Sequence, residues 1–175
     1  MINIKIKLFL LLATLFFFLL LRYQGNDLIQ PYAPKGIVSL EIAPSAETTG
    51  KIIAGLKEDG LISKTRRNIF IDFLFIPFYA MLFYTLAGSI SVRMKGKVAT
   101  AGVLLAFFSL IAGLLDVFEN ILMLLATYGL YNDLTAILTT FFASMKFLLL
   151  FIALLYIILF GLGVIMRRKI SPAIR

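Results

Sequence analysis

Cysteine, histidine and tryptophan are all missing from this 175-residue chain. Without cysteine there is no disulfide, no thiolate nucleophile and no thiolate metal site, and the redox compartment is left open. Without histidine there is no histidine triad, no imidazole proton shuttle and no histidine-ligated metal. No metal centre and no cofactor is therefore expected. Without tryptophan, any aromatic belt at a membrane interface falls to tyrosine and phenylalanine. Charge is scarce as well: Asp, Glu, Lys and Arg make up 15% of the chain, against about 25% in soluble domains.

What fills the chain instead is apolar, with 61% hydrophobic residues. This is membrane composition. The formal net charge of +8 does not point to nucleic acid, because the basic residues flank apolar segments and do not interleave with a soluble face. Four apolar segments stand out, at about 8–23, 69–92, 98–127 and 134–166. A span needs about 20 residues, so the last two are long enough to tilt or to project. The connections "RMKGK" and "YGLYND" are short, which makes the last three helices antiparallel neighbours. The expected fold is all-α: one membrane-embedded domain over residues 1–175, four transmembrane helices in an antiparallel bundle. The basic start before "LFLLLATLFFFLLL" also fits a signal peptide, but "RYQGNDLIQ" offers no convincing small-residue cleavage site. An uncleaved anchor is expected.

Lys and Arg set the orientation. Lys5 and Lys7, then Arg93, Lys95 and Lys97, then Arg167, Arg168, Lys169 and Arg175 share one side if four helices alternate, whereas the 127–134 turn has no basic residue. Both termini are expected in the cytoplasm, and the 22–67 loop outside. The basic "SKTRRN" at 63–68 runs against this, but its loop also carries Asp27, Glu41, Glu47, Glu58 and Asp59. Within that loop, "SLEIA" fits a short strand or one helical turn. Ser45 is placed to cap an amphipathic helix over 46–59, ended by Gly60, which would lie on the bundle mouth or in the interface. "GKIIAGLKEDG" lacks the spacing and the Lys-Ser/Thr ending of a P-loop.

Four ionisable residues lie inside the spans: Asp72, Asp116, Glu119 and Lys146. Each costs roughly 2.5–3.5 kcal/mol at a helix centre, so each needs a reason. Asp72 precedes Arg93 by 21 residues, Asp116 and Glu119 follow Lys97 by 19 and 22, and Lys146 precedes Arg167 by 21. At 1.5 Å per residue, all lie about 28–33 Å from the inner edge. Three helices thus bring their charges to one level, at the outer end of a core about 30 Å thick. Asp116, Glu119, Asn120 and Met123 share a face by their spacing, continued by the small residues Ser109, Ala112 and Gly113. Asp72 and Tyr79 share a face of the second span, with Pro77 between them as a potential kink. Thr139, Ala143, Lys146, Leu150 and Ala153 form the matching stripe on the fourth.

The expected site is therefore Asp72, Asp116, Glu119, Asn120 and Lys146, with Tyr79 and Glu41 as further members. Tyr79 has packing as its plainer explanation, and Glu41 a solvated place in the loop unless the loop returns it to the mouth. Three acids against one lysine leave a formal −2, so a carboxyl keeps its proton or the layer binds a cation. Arg66 and Arg67 are alternative sources of positive charge.

"SLEIA", "IDFLFIPFYA", "LLDVFENILML" and "MKFLLLFIALLY" resemble a group of small bacterial four-helix integral membrane proteins. In that group a Leu-Glu-Phe-Ala-like stretch, an Asp-x-x-Phe, an Asp-x-x-Glu-Asn and a final-helix lysine recur in this order. The resemblance covers about residues 37–156 and departs at Ile42, where the group has an aromatic. It implies a bacterial inner membrane and no named activity.

Three functions fit these residues. The polar layer near the outer face binds a lipid-like or small amphiphilic ligand; or the layer is purely structural in a non-catalytic accessory or assembly subunit, whose loop meets a membrane protein partner; or the carboxylates serve as acid and base in a membrane-embedded enzyme, with Lys146 as electrophile or nucleophile. Nearly all residues below the layer are apolar, which argues against an ion-conducting path.

Overall fold

The computed structural model describes residues 3–170, with side chains as far as residue 163. Among these residues there are six α-helices and no strand: α1 (Ile4–Gly25), α2 (Ile37–Glu41), α3 (Ala46–Glu58), α4 (Ile62–Ser91), α5 (Gly96–Thr127) and α6 (Asp133–Ile170). Four of them, α1, α4, α5 and α6, are long and apolar enough to cross a membrane, and they pack as the expected all-α bundle. At 30 and 32 residues, α4 and α5 are about 45–48 Å long. Each exceeds a hydrocarbon core of about 30 Å by several turns.

The helix α4 is the centre of the bundle, packing on α5, α1 and α6. Small residues let α4 and α5 approach closely: a Cβ at Gly113 would stand 3.0 Å from the Ala80 Cβ. The helix α1 is apolar nearly all round and buries only Leu10. It rests on α4 through the stacked rings of Phe17 and Phe78, 5.2 Å apart, and through Asn68, whose Nδ2 donates to the Leu21 carbonyl at 3.3 Å. Near the opposite end, Lys7 donates to Ser89. Three separate apolar clusters result. One, with Ala87, Ile90, Ala106 and Tyr156, lies toward the α4–α5 turn. A second, Ile76, Tyr79 and Ala80, lies along the middle of α4. The third joins Leu28, Leu40, Ile52 and Leu56 to Ile69 and Met123, and seats α2 and α3 on the opposite end of the bundle.

That seat follows from local chemistry. Ser45 Oγ accepts from the Thr48 N–H at 3.2 Å, capping α3. Gly60, at φ +70°, takes the left-handed conformation that lets Leu61 N donate back to the Leu56 carbonyl at 2.7 Å and Gly60 N to the Lys57 carbonyl at 3.1 Å, a Schellman ending. Ile52, Ile53 and Leu56 are the buried side of α3. Bonds to α6 pin the segment: Thr140 Oγ1 donates to the Ala43 carbonyl at 3.0 Å, and Asp133 Oδ1 accepts from the Ala46 N–H at 2.8 Å. The stretch "SLEIA" lies on α2 and its C-terminal turn, not on a strand. Because α4 begins at Ile62, "SKTRRN" belongs to its first turns.

Candidate functional site

The apolar stripe of α5 is interrupted on one face only. Ser109, Ala112, Gly113, Asp116, Glu119, Asn120 and Met123 are all buried, as the i, i+3, i+4, i+7 spacing requires of one helix face. On α6, Thr139, Ala143, Lys146 and Ala153 are the buried counterparts. Small neighbours on both helices leave room for the long Lys146 side chain to turn inward. Its Nζ donates to Asp116 Oδ1 at 2.6 Å and to Glu119 Oε1 at 2.9 Å, with Glu119 Oε2 at 2.8 Å. From α4, Tyr79 Oη donates to Asp116 Oδ2 at 2.6 Å. Asn120 Nδ2 donates to Asp72 Oδ2 at 2.8 Å. The three helices thus meet at one level through five ionisable or amide side chains and a phenol.

The seventh residue corrects its plainer explanation. Glu41 is not solvated: it ends α2, is 6% exposed, and holds Oε2 3.9 Å from Lys146 Nζ. Burial pushes its carboxyl well above the ordinary carboxylate range; Lys146 pulls the other way. Hydrophobic seating of α2 by Leu40 and Ala43 is what forces this acid inward, and no local pattern in the loop announces it. The cluster therefore sets four carboxyls against one ammonium, a formal −3 with every carboxyl ionised. Arg66 does not offset this. Its guanidinium donates to Thr127 Oγ1 at 2.9 Å and the Thr127 carbonyl at 2.8 Å, and lies 3.7 Å from the Tyr128 ring centroid, so it caps the C-terminus of α5. Arg67 is exposed.

Beside the cluster is a cavity of about 460 Å³, within the range of small-molecule sites. Glu41, Asp72, Asp116, Asn120, Lys146 and Tyr79 form its polar wall. Glu119 is fully buried behind that wall and does not line it. Most of the remaining lining is apolar, with Leu15 and Phe18 of α1, Phe75 and Phe83 of α4, and Phe147 and Leu150 of α6, though Thr14, Asn26 and Asn68 also border it. Although α1 and α6 both border the cavity, α1 packs on α4 and makes no comparable contact with α6. The cavity is thus flanked by a cleft between two membrane-spanning helices. Arg22 and Lys35, both exposed, stand at its rim. The single polar residue in the apolar run of α1, Thr14, is on this wall, too slight a signal to orient the helix from spacing. Such an arrangement can hold a polar group against buried acceptors while an apolar chain runs along the cleft. In comparisons with protein-family models, curated proteins and solved structures, nothing matches this chain.

Proposed function

We propose that the protein binds one lipid-like or small amphiphilic molecule in this cavity, its polar end at Glu41, Asp72 and Asn120 and its apolar chain along the cleft between α1 and α6. The observation that carries this is the joining of a buried, acid-rich wall to an apolar cavity between helices that do not pack on each other. A membrane protein whose charges served packing alone has no need of such a space. The test is mass spectrometry of the full chain purified gently in nonionic detergent. An amphiphile is expected to accompany the parent protein. Leu150→Trp, which fills the cavity from α6, is expected to lower its retention about tenfold, a loss of roughly 1.4 kcal/mol in affinity, while leaving the unfolding midpoint in place. A parent without any bound amphiphile, or equal retention by the variant, overturns the proposal.

A structural role in an accessory subunit is the second reading, favoured by the completeness with which Asp116 and Glu119 occupy the Lys146 ammonium.

We further propose that the α2–α3 end faces outward from a bacterial inner membrane, with both termini in the cytoplasm. Lys5, Lys7, Arg93, Lys95 and Lys97 mark the opposite end, and the positive-inside rule assigns that end to the cytoplasm. Three bases at the α2–α3 end are engaged locally, Lys64 with Asp27, Lys51 with Glu47 at 2.6 Å and Arg66 on α5, whereas Arg22, Lys35, Lys57 and Arg67 are exposed. Arg167, Arg168, Lys169 and Arg175, on which the expectation also rested, lie outside the residues with described side chains. Because the chain has no cysteine of its own, single introduced cysteines give a clean test in intact cells. Glu47→Cys and Leu130→Cys are expected to react with an impermeant thiol reagent, and Lys95→Cys to react only after permeabilisation. External labelling at position 95 overturns the orientation.

A further inference from the structure

Among the residues that border the cavity, three have a buried side-chain oxygen without a hydrogen-bond partner: Thr14 Oγ1, Glu41 Oε2 and Asn120 Oδ1. Two of these residues are more than nine-tenths buried, Glu41 at 6% exposed and Asn120 at 0%. The Asn120 amide cannot be turned to relieve this, because its nitrogen is committed to Asp72 Oδ2, leaving the oxygen as the free end. Glu41 Oε2 is near Lys146 Nζ, but at 3.9 Å it is an ion-pair distance and not a hydrogen bond. The hydrogen bonds of Lys146 go to Asp116 and Glu119. Buried polar atoms without partners are rare and costly, and these belong to residues that border one cavity.

From this we infer that the amphiphile's headgroup carries a primary ammonium, seated between Glu41, Asp72 and Asn120. The inference rests on the binding function proposed above and names its ligand class. Three features select an ammonium. It brings three N–H donors to a wall that has acceptors to spare. It carries positive charge into a cluster with four carboxyls and one lysine, where a hydroxyl would supply donors and leave the excess charge. Its small size suits a position beside the half-buried Asp72, which quaternary methyl groups would crowd without donating. The competing headgroup is an anion at Arg22 and Lys35. Both those side chains are exposed, so water already solvates them, and leaving them unpaired costs little. The buried acceptors have no such alternative. Depth agrees: Asn68 is level with Leu21 through its hydrogen bond, and Asp72 lies one turn, about 6 Å, farther into the bundle. An ammonium at Asp72 therefore places an attached chain directly among Phe18, Phe75 and Leu150.

The experiment uses the full chain in nonionic micelles, with native mass spectrometry after addition of tetradecylamine, tetradecyltrimethylammonium, tetradecanol and tetradecyl phosphate in equal amounts. The amine is expected to be retained about tenfold more than each of the other three, the ratio that a single charge-assisted hydrogen bond to a buried carboxylate supplies. In Glu41→Gln/Asp72→Asn the amine is expected to fall to the level of the alcohol. Leu150→Trp is expected to reduce all four probes together. Should the double variant fail to fold, the ranking on the parent protein alone decides. Equal retention of all four probes leaves amphiphile binding standing and overturns the ammonium. So does trimethylammonium bound as tightly as the amine, or phosphate bound best and lost in Arg22→Ala/Lys35→Ala. Retention of none overturns the binding function and this inference with it.

Discussion

Lys146→Met is expected to destabilise the bundle by about 3–5 kcal/mol, the range found when one partner of a buried ion pair is removed. Methionine matches the lysine stem in length and volume, so the change removes charge and donors with little loss of packing. What it leaves is severe. Asp116 keeps Tyr79 as a donor, but Glu119 is fully buried and retains no cation within reach, and Glu41 loses the nearest positive charge it has. Unfolding in mixed micelles under increasing dodecyl sulfate reads the loss. Adding Asp116→Asn, Glu119→Gln and Glu41→Gln to the same chain is expected to restore most of the stability, because an amide oxygen at position 116 still accepts from Tyr79 and the carboxyls that faced Lys146 no longer carry charge. A single variant within about 1 kcal/mol of the parent, the size of an exposed ion pair, contradicts the burial of Lys146. Full recovery by this neutralised variant, together with a parent that never holds an amphiphile, leaves the structural role as the whole account of the cluster.

The far end of the bundle supplies the second large effect. Gly102→Ala is expected to destabilise by about 1–3 kcal/mol, the usual cost of overpacking. This is opposite in sign to the gain of about 1 kcal/mol that alanine brings to an ordinary helix interior. Gly102 lies where α4, α5 and α6 meet. A Cβ there would overlap the Tyr156 hydroxyl, stand 2.6 Å from Tyr156 Cζ and 2.8 Å from the Ser91 Cβ. The ring has nowhere to go: Tyr156 is buried against Ala87, Ile90 and Ala106, and its hydroxyl donates to the Val98 carbonyl at 3.1 Å. Tyr156→Phe in the same chain is expected to recover part of the loss by removing the overlapping oxygen, leaving the contact with the ring carbon. A stabilised Gly102→Ala protein would mean that α5 and α6 are free to separate at this point.

The two variants also divide the molecule. Lys146 and Gly102 lie at opposite ends of the bundle, in separate buried clusters, so their effects are expected to add. The cavity belongs to the first end alone. Its likeness to a site comes from what the helices leave unfilled, and this explains why the charge layer and the cavity wall overlap without coinciding. Glu119 and Lys146 tie α5 to α6, while Glu41 and Asp72 turn toward the space between α1, α4 and α6. Glu119, which spacing placed in the same layer as Asp116, is the one acid of the four that does not line the cavity.

Several features were determined by the sequence alone. Apolar length and composition set the four spans, because a helix is the only way an open chain satisfies its backbone in lipid. The 3.6-residue period put Asp116, Glu119 and Asn120 on one face, and counting 1.5 Å per residue from the basic edges brought Lys146 and Asp72 to the same level. Ser45 and Gly60 marked the ends of α3 through the hydrogen-bonding and conformational needs of helix termini. Tertiary structure alone decided the rest. The folding of α2 over the bundle buried Glu41 and raised the acid count from three to four, since its position depends on apolar contacts of Leu40 and Ala43 with distant residues. Arg66 went to the end of α5 and not to the acids, donating to the Thr127 carbonyl that the helix terminus leaves without an intrahelical donor. The cavity exists because α1 leans on α4 and leaves α6 uncovered, and a helix with a single threonine in its apolar run holds little local record of which neighbour it will choose.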